Sequence, residues 1–437
     1  MAAANAGILL TLFGLASISP ILKANTHDFD EVWQKRAENA RRHALEAYHP
    51  NPEEVVSSFN KHVHMMFENG SSTRRYLRGR PYTGRCAATN PIDQCWRCDR
   101  NWANNRKRLA DCAQGFGRGT IGGKNGPFYV VTNPADDDLV NPKPGTLRHA
   151  VIQERPLWIT FAHDMVIRLS EELLITSDKT IDARGSNVQI YNGAQITMQF
   201  VKNIIIHGLH IRKTKAGKGG MIRDSVSHHG FRSSSDGDGI SMFGASHIWI
   251  DHVSMSGCQD GLIDAVMGST AITVSNSHFT HQDHVMLLGA SDSHPQDSIM
   301  QVTVAFNHFG KQLVQRMPRV RFGFAHVVNN DYTHWLMYAI GGSQHPTILS
   351  QGNRFLASNS HHSKEVTKRD SSPQSVWKTW NWRSEMDLMM NGAFFVESGS
   401  DVRNVNRQDV IPAKPGKFAS QMTRFSGALN CYVNKPC

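Results

Sequence analysis

From about residue 84 to residue 360 the chain is written in short β-rich runs, with apolar and polar positions alternating and no long helical stretch. The runs at 205–211, 249–255, 273–279, 303–309 and 326–332 resemble one another. Asn307, Asn330 and Asn353 lie 23 residues apart, and the earlier runs are spaced by 24 and 30. A period of this size, with a polar residue kept in register, predicts a β-solenoid with one coil per repeat. Asn suits the turn of such a coil because it tolerates the left-handed conformation and bonds to nearby backbone. Successive amides would then stack into a ladder. Evenly spaced strands also suit a β-sandwich, but a polar residue repeated in register favours the solenoid.

The flanks read differently. Residues 28–46 are charged, with spaced apolar positions and no proline, which predicts a surface helix. Asn51 and Pro52 then open a second helix, as cap and first helical residue. The stretch at 71–80 is basic and polar and reads as a linker. An apolar run at 7–19 is too short to span a bilayer and, with small residues up to Ala24, reads as a cleavable leader. The expected plan is a leader at 1–24, a helical segment and linker at 25–83, and the solenoid with its tail at 84–437. In that tail, Trp377, Trp380 and Trp382 are expected to pack against the solenoid rather than to stack on sugars.

Composition narrows the partner. The 437 residues include 47 Lys and Arg against 37 Asp and Glu, a net charge of +10. That balance favours an anionic partner: nucleic acid, anionic lipid or an acidic polysaccharide. No nucleic-acid-binding motif accompanies it, and no later segment is apolar enough to span a membrane. Cys86, Cys95, Cys98 and Cys112 cluster, and Cys431 and Cys437 close the chain. In a secreted protein these read as two disulfides of undetermined pairing and a third in the tail, with Cys258 a buried free thiol. A zinc site would need a second Cys-x-x-Cys, which is missing. Asn69-Gly70-Ser71 is a glycosylation sequon.

The chemistry gathers between residues 235 and 321. Asp236 and Asp238 form an Asp-x-Asp pair, Asp260 and Asp264 follow, and Arg316, Arg319 and Arg321 stand in Gln-Arg-Met-Pro-Arg-Val-Arg. Four carboxylates in one place call for a hard divalent cation, calcium above all. An EF-hand is excluded, since the twelfth position of that loop would be His247. A solenoid, however, stacks residues one coil apart, so the two acidic pairs can meet on one face, with Gly237 and Gly239 allowing tight turns. Ordinary solvated turn acids are the competing reading. The arginines suit an acidic substrate, because guanidinium matches carboxylate geometry.

Five motifs carry a family resemblance: 235–241 (SDGDGIS), 248–252 (IWIDH), 260–264 (DGLID), 285–289 (VMLLG) and 315–321 (QRMPRVR). With the cysteine cluster, the tail and 338–342 (YAIGG), the chain resembles plant pectate lyases of polysaccharide lyase family 1. The resemblance implies an all-β fold, a right-handed parallel β-helix with a helical N-terminal extension. It implies a monomeric, secreted cell-wall enzyme that cleaves de-esterified polygalacturonate by calcium-dependent β-elimination, leaving 4,5-unsaturated oligogalacturonides. By correspondence Asp238, Asp260 and Asp264 bind calcium, with Asp236 as an additional or supporting ligand. Arg316 corresponds to the proton-abstracting base and Arg321 to a clamp on substrate carboxylate. Arg319, between them, serves substrate or structure. Arginine is an awkward base, because its reference pKa exceeds about 12. Where many members carry a substrate-binding lysine, this chain has His284. That departure opens an alternative, a catalytically weak or silent pectate-binding wall protein. A lyase of methyl-esterified pectin would need neither the acids nor the basic groove. Asp251, His252, His278 and His308 recur at repeat positions and are expected to serve the scaffold.

Overall fold

The computed structural model of the chain describes residues 30–68, 86–370, 372–399 and 411–437. The expected leader, the linker at 71–80 and the Asn69 sequon lie outside the described residues. Among the described residues, three parallel sheets of ten, nine and nine strands wind around one apolar interior, a parallel β-helix. The register follows the sequence repeat: Trp249 pairs with Thr273, Thr273 with Thr303, and Thr303 with His326. Coils longer than the basic repeat carry excursions. The 3-10 helix Pro295–Ile299 is one, and the antiparallel hairpin Gly220–Ser225/His228–Arg232 is another.

Each similar run proves to be two short strands joined at a left-handed residue. Gly208, His252, Asn276, Phe306, Asn329 and Gly352 hold φ between 49° and 82° at this corner. The aligned asparagines come one place later, so the left-handed conformation expected of them belongs to their predecessors. Their role is to bond. The Asn307 backbone N–H donates to Asn330 Oδ1 at 2.9 Å, and that of Asn330 to Asn353 Oδ1 at 2.8 Å. The side-chain amides repeat both links at 3.0 Å. The predicted ladder therefore exists and satisfies buried donors that the corner removes from the sheets. Below it runs an aromatic stack, Phe279, Phe309, Tyr332 and Phe355, with centroids 4.5–5.3 Å apart.

The ten-stranded sheet is buried on both faces. Ile204, Ile206, Ile248 and Ile250 point into the solenoid, while Ile205 and Trp249 belong to a second apolar cluster outside it. Two-sided burial explains why these strands read as near-continuous apolar runs. Helix α1 (Glu31–Ala47) is capped by Asp30, which accepts from Val32 N–H at 2.9 Å. Helix α2 (Pro52–Glu68) starts at the expected proline, and Phe59 and Val63 enter the outer cluster. Helix α3 (Pro91–Trp96) adds Ile92 and Trp96. His252 anchors it, with Nε2 2.7 Å from Asp93 Oδ1 and Nδ1 2.9 Å from the Gly427 carbonyl.

Disulfides Cys86–Cys98 and Cys95–Cys112 resolve the pairing left open by the sequence, and Cys431–Cys437 closes the tail. Cys258 is free and buried, its thiol pushed up to about 11 by burial. Trp380 and Trp382 are buried, and Trp382 lies in the last strand of the ten-stranded sheet, so they close the end of the core. His278 and His308 stack ring on ring at 4.8 Å along the third sheet. No helix among the described residues is long and apolar enough to cross a membrane.

Candidate active site

The second sheet carries the chemistry. Its strands Ile240–Phe243, Gly261–Val266, Gln282–Leu288 and Arg319–Arg321 are successive neighbours. The register aligns Thr197, Ser241, Asp264, Leu287 and Arg319 in one row. Alternation turns Ile240, Met242, Ile263, Met286 and Val320 inward, which leaves that row on the opposite face of the sheet, buried under what packs there. A second row aligns Gly261, His284 and Gln315.

All four predicted acids come together. Asp238 is fully buried, accepting from the Ser241 hydroxyl at 2.7 Å and from Gly261 N–H at 2.8 Å. Gly237, at φ 93°, makes the turn between the paired acids. Gly261 leaves room for Asp264 and Asp238, for a Cβ there would fall 2.6 Å from Asp264 Oδ1 and 2.9 Å from Asp238 Oδ1. Burial and then the neighbouring Asp236 charge push Asp238 up to about 8. Asp264 is raised by burial, then by Asp238, Asp260 and Asp236. Asp236 is raised too, by burial foremost, with Asp260 and Glu172 adding to it. Asp260 differs: its bond to His284 holds it below the ordinary carboxylate value, with Arg316 assisting. The His284 Nδ1 to Asp260 Oδ1 distance is 3.2 Å. Among the described residues no three His, Cys, Asp or Glu side chains form a ready-made coordination set.

The arginines border this acidic patch. Arg316 holds a left-handed φ of 64°, and its Nε is buried without a hydrogen-bond partner. Its charge lowers both Asp260 and Asp264. Arg319 is buried and bonded through Nε to Asp370 at 2.7 Å. Arg321 donates to Asp292 at 3.0 Å and to the Gly289 carbonyl at 2.7 Å. Its pKa is lowered by burial, and by the charges of Arg319 and Arg316 against that of Asp292. Tyr338 stands near Arg319 and Arg316, its phenol pushed up to about 12 by burial.

Several supporting residues escaped the sequence reading. Gln195 accepts from the backbone N–H groups of Gly237 and Asp238 at 3.0 and 3.2 Å. Glu172, Thr197 and Arg232 lie behind it, and Asp292 and Asp370 hold the arginines. Their distance along the chain hid them, and only the strand register brings them in.

This parallel β-helix, with carboxylates gathered beside arginines on one sheet, has counterparts among known proteins. Residues 25–77 match the family model "Pectate lyase, N terminus", and residues 168–381 match "Pectate lyase". The chain is 61% identical over 429 residues to a pectate lyase of Lilium longiflorum, covering 98% of each. It is 56% identical to probable pectate lyase 7 of Arabidopsis thaliana, again over 98% of each. The crystal structure of jun a 1, the major allergen from cedar pollen, superimposes with a TM-score of 0.75 at 47% identity. That match covers 78% of this chain and 99% of that one. The chain belongs to the pectate lyase family.

Proposed function

We propose that this pectate lyase cleaves de-esterified polygalacturonate by calcium-dependent β-elimination, releasing 4,5-unsaturated oligogalacturonides. The observation that carries the reading is the cradle at Gly261, where the buried Asp238 and Asp264 approach each other beside Arg316. Carboxylates that raise one another's pKa are short of positive charge, and a hard cation with oxygen ligands supplies it. The donor set is all oxygen, as such an ion prefers, and a side chain at Gly261 would push the two carboxylates apart. Asp238, Asp260 and Asp264 would hold it, with Asp236 as a further ligand or support. When bound, calcium would neutralise the substrate carboxylate and so acidify the adjacent C5 proton.

Arg316 would then take that proton. The C5–H electrons form the C4–C5 double bond, the C4–O4 bond breaks, and the leaving oxygen is protonated from solvent, with no water added across the bond. Arg321 would exchange its half-exposed partner Asp292 for a substrate carboxylate, a geometry suited to guanidinium. Arg319, tied to Asp370, would serve substrate or hold the neighbouring arginines in place. The three disulfides suit an oxidising compartment, and we place the protein outside the cell, in the wall. A weak, pectate-binding protein is the second reading, because His284 stands bonded to Asp260 where the family resemblance leads one to expect lysine.

The test gives purified protein polygalacturonate with calcium or with chelator and follows the absorbance of unsaturated product. Product that rises with calcium and vanishes with chelator is the expected result. No product at any calcium level or pH leaves the binding reading, and product indifferent to complete calcium removal removes the metal mechanism.

A further inference from the structure

Behind the acidic face a directed chain of buried hydrogen bonds leads out of the solenoid to the N-terminal helix. Its centre is Gln195. The side-chain oxygen of Gln195 accepts from Gly237 and Asp238 N–H, which fixes its amide nitrogen on the opposite side. That nitrogen donates to Ser241 Oγ at 2.8 Å and to Thr197 Oγ1 at 3.2 Å. Each hydroxyl then donates onward: Ser241 to Asp238 Oδ2 at 2.7 Å, and Thr197 to Glu172 Oε2 at 2.9 Å. Glu172 Oε1 accepts from Arg232 Nε at 2.6 Å. Every link is inside the protein, and each hydroxyl uses one donor and one acceptor, so the orientations are mutually fixed.

The outer end of the chain is closed by Trp33 of α1. Its ring is buried against Leu174 and Ile222, edge-on to Phe200 at 6.1 Å. The Arg232 guanidinium lies 5.2 Å from the ring centroid. Helix α1 is fastened to the hairpin that ends at Arg232. Arg36 bonds Asp224 at 2.7 Å and Ser225 at 3.0 Å, and His228 bridges Asp224 at 2.7 Å and Asp30 at 3.1 Å.

We propose that α1 is a positioning element of the acidic face: Trp33 seals Arg232 onto Glu172, and the chain through Thr197, Gln195 and Ser241 sets the Asp238 carboxylate and the backbone before it. The inference rests on the calcium reading above. The physical reason is preorganisation. A ligand carboxylate held by an ordered shell loses little freedom on binding metal, and loosening that shell weakens affinity. Opening the Trp33 side would admit water to the Arg232–Glu172 pair and raise its local dielectric. Glu172 would then hold Thr197, and through it Gln195, less tightly. Arg232 and Glu172 are positioning residues on this view, touching neither substrate nor reacting atoms.

Calorimetric titration of the full chain with calcium, without substrate, tests this alongside the calcium dependence of the activity. Trp33→Ala, Trp33→Phe and Arg232→Lys all preserve net charge, so a field effect across space predicts no change. The expected result is roughly tenfold weaker calcium binding for Trp33→Ala and Arg232→Lys, recovery in Trp33→Phe, and unchanged kcat at saturating calcium. A purely structural role for Trp33 would lower the melting temperature and leave calcium affinity alone, which overturns the proposal. Should Trp33→Ala fail to fold, Arg232→Lys with wild-type affinity overturns it equally. Wild-type protein that binds no calcium refutes the metal reading itself, an outcome distinct from variants that bind as well as wild type.

Discussion

On the outer face of the ten-stranded sheet, Asp93 meets Arg97 at 2.6 Å and His252 at 2.7 Å, and Asp182 meets Arg184 at 2.7 Å and Arg106 at 3.0 Å. At the second sheet, the charges that act most on Asp238 and Asp264 are those of other carboxylates, Asp236 and Asp260 among them. Asp93, Asp182, Asp238 and Asp264 are all buried, yet the two groups titrate in opposite directions. Asp93 is held down at about 2 because the Arg97 and His252 charges outweigh burial, whereas Asp238 is pushed up to about 8. Paired buried charge belongs to the scaffold, and its partners are already present. Buried carboxylates without a counter-charge hold their protons until a cation replaces them, which is why the proposed function rests on the second group.

The sharpest way to break this contrast is at the arginine that borders the acids. Replacing Arg316 with Ala is expected to lower the rate of unsaturated-product formation roughly a thousandfold, the scale of a lost general base. Its circular dichroism spectrum and melting temperature should stay close to wild type. A variant retaining a tenth of the activity would take the base role from Arg316. The matching substitution on the scaffold side is Asp93→Asn, which leaves Arg97 and His252 buried without their counter-charge. It should cost about 3 kcal/mol of stability in urea titrations, while activity per folded molecule persists. Loss of activity without loss of stability would show that the two groups do not divide in this way.

The same pair predicts a pH dependence. The folded pKa of Asp93 lies below its unfolded value, so its contribution is present above about pH 4 and is lost as pH falls towards 2. His252 is raised, by the nearby charge of Asp93 and then Asp251 against its burial, so its contribution is full below its ordinary value of 6.5 and fades as pH rises through the folded value. One contact underlies both shifts, and they are not added. Urea titrations at pH 5 and pH 2 should differ by about 2 kcal/mol more in wild type than in Asp93→Asn. Equal differences in the two proteins would assign the acid sensitivity to other carboxylates.

How far the sequence alone reaches also follows this division. The repeat and the asparagine ladder were legible because they recur at a fixed period, and Asp236, Asp238, Asp260 and Asp264 because each pair is local. The left-handed corner was misplaced by one residue, since Phe306, Asn329 and Gly352 share a backbone conformation but no side-chain type. Gln195, Glu172 and Arg232 were invisible. Gln195 lies 43 residues before Asp238, and the coil between them holds the hairpin excursion. No spacing rule links such positions. Only the register that pairs Thr197 with Ser241 and Ser241 with Asp264 does so.

The smallest expected effect concerns His284, where the family resemblance leads one to expect lysine. His284 is about a third exposed and holds Asp260 at 3.2 Å, so it belongs to the acidic face by contact and, on the proposed function, would also face substrate. An imidazole carries charge only in acidic solution, and an ammonium carries it throughout the working range. His284→Lys should therefore strengthen binding of polygalacturonate at pH 8 by roughly fivefold, the scale of one exposed ion pair, read as a lower KM. A lysine also reaches further along the groove and need not keep the bond to Asp260, whose lowered pKa depends foremost on that histidine. If Lys at this position instead raised the calcium requirement and left KM unchanged, His284 would be a partner of the acids rather than of the substrate. The line between self-satisfied and ligand-seeking charge would then run through this residue.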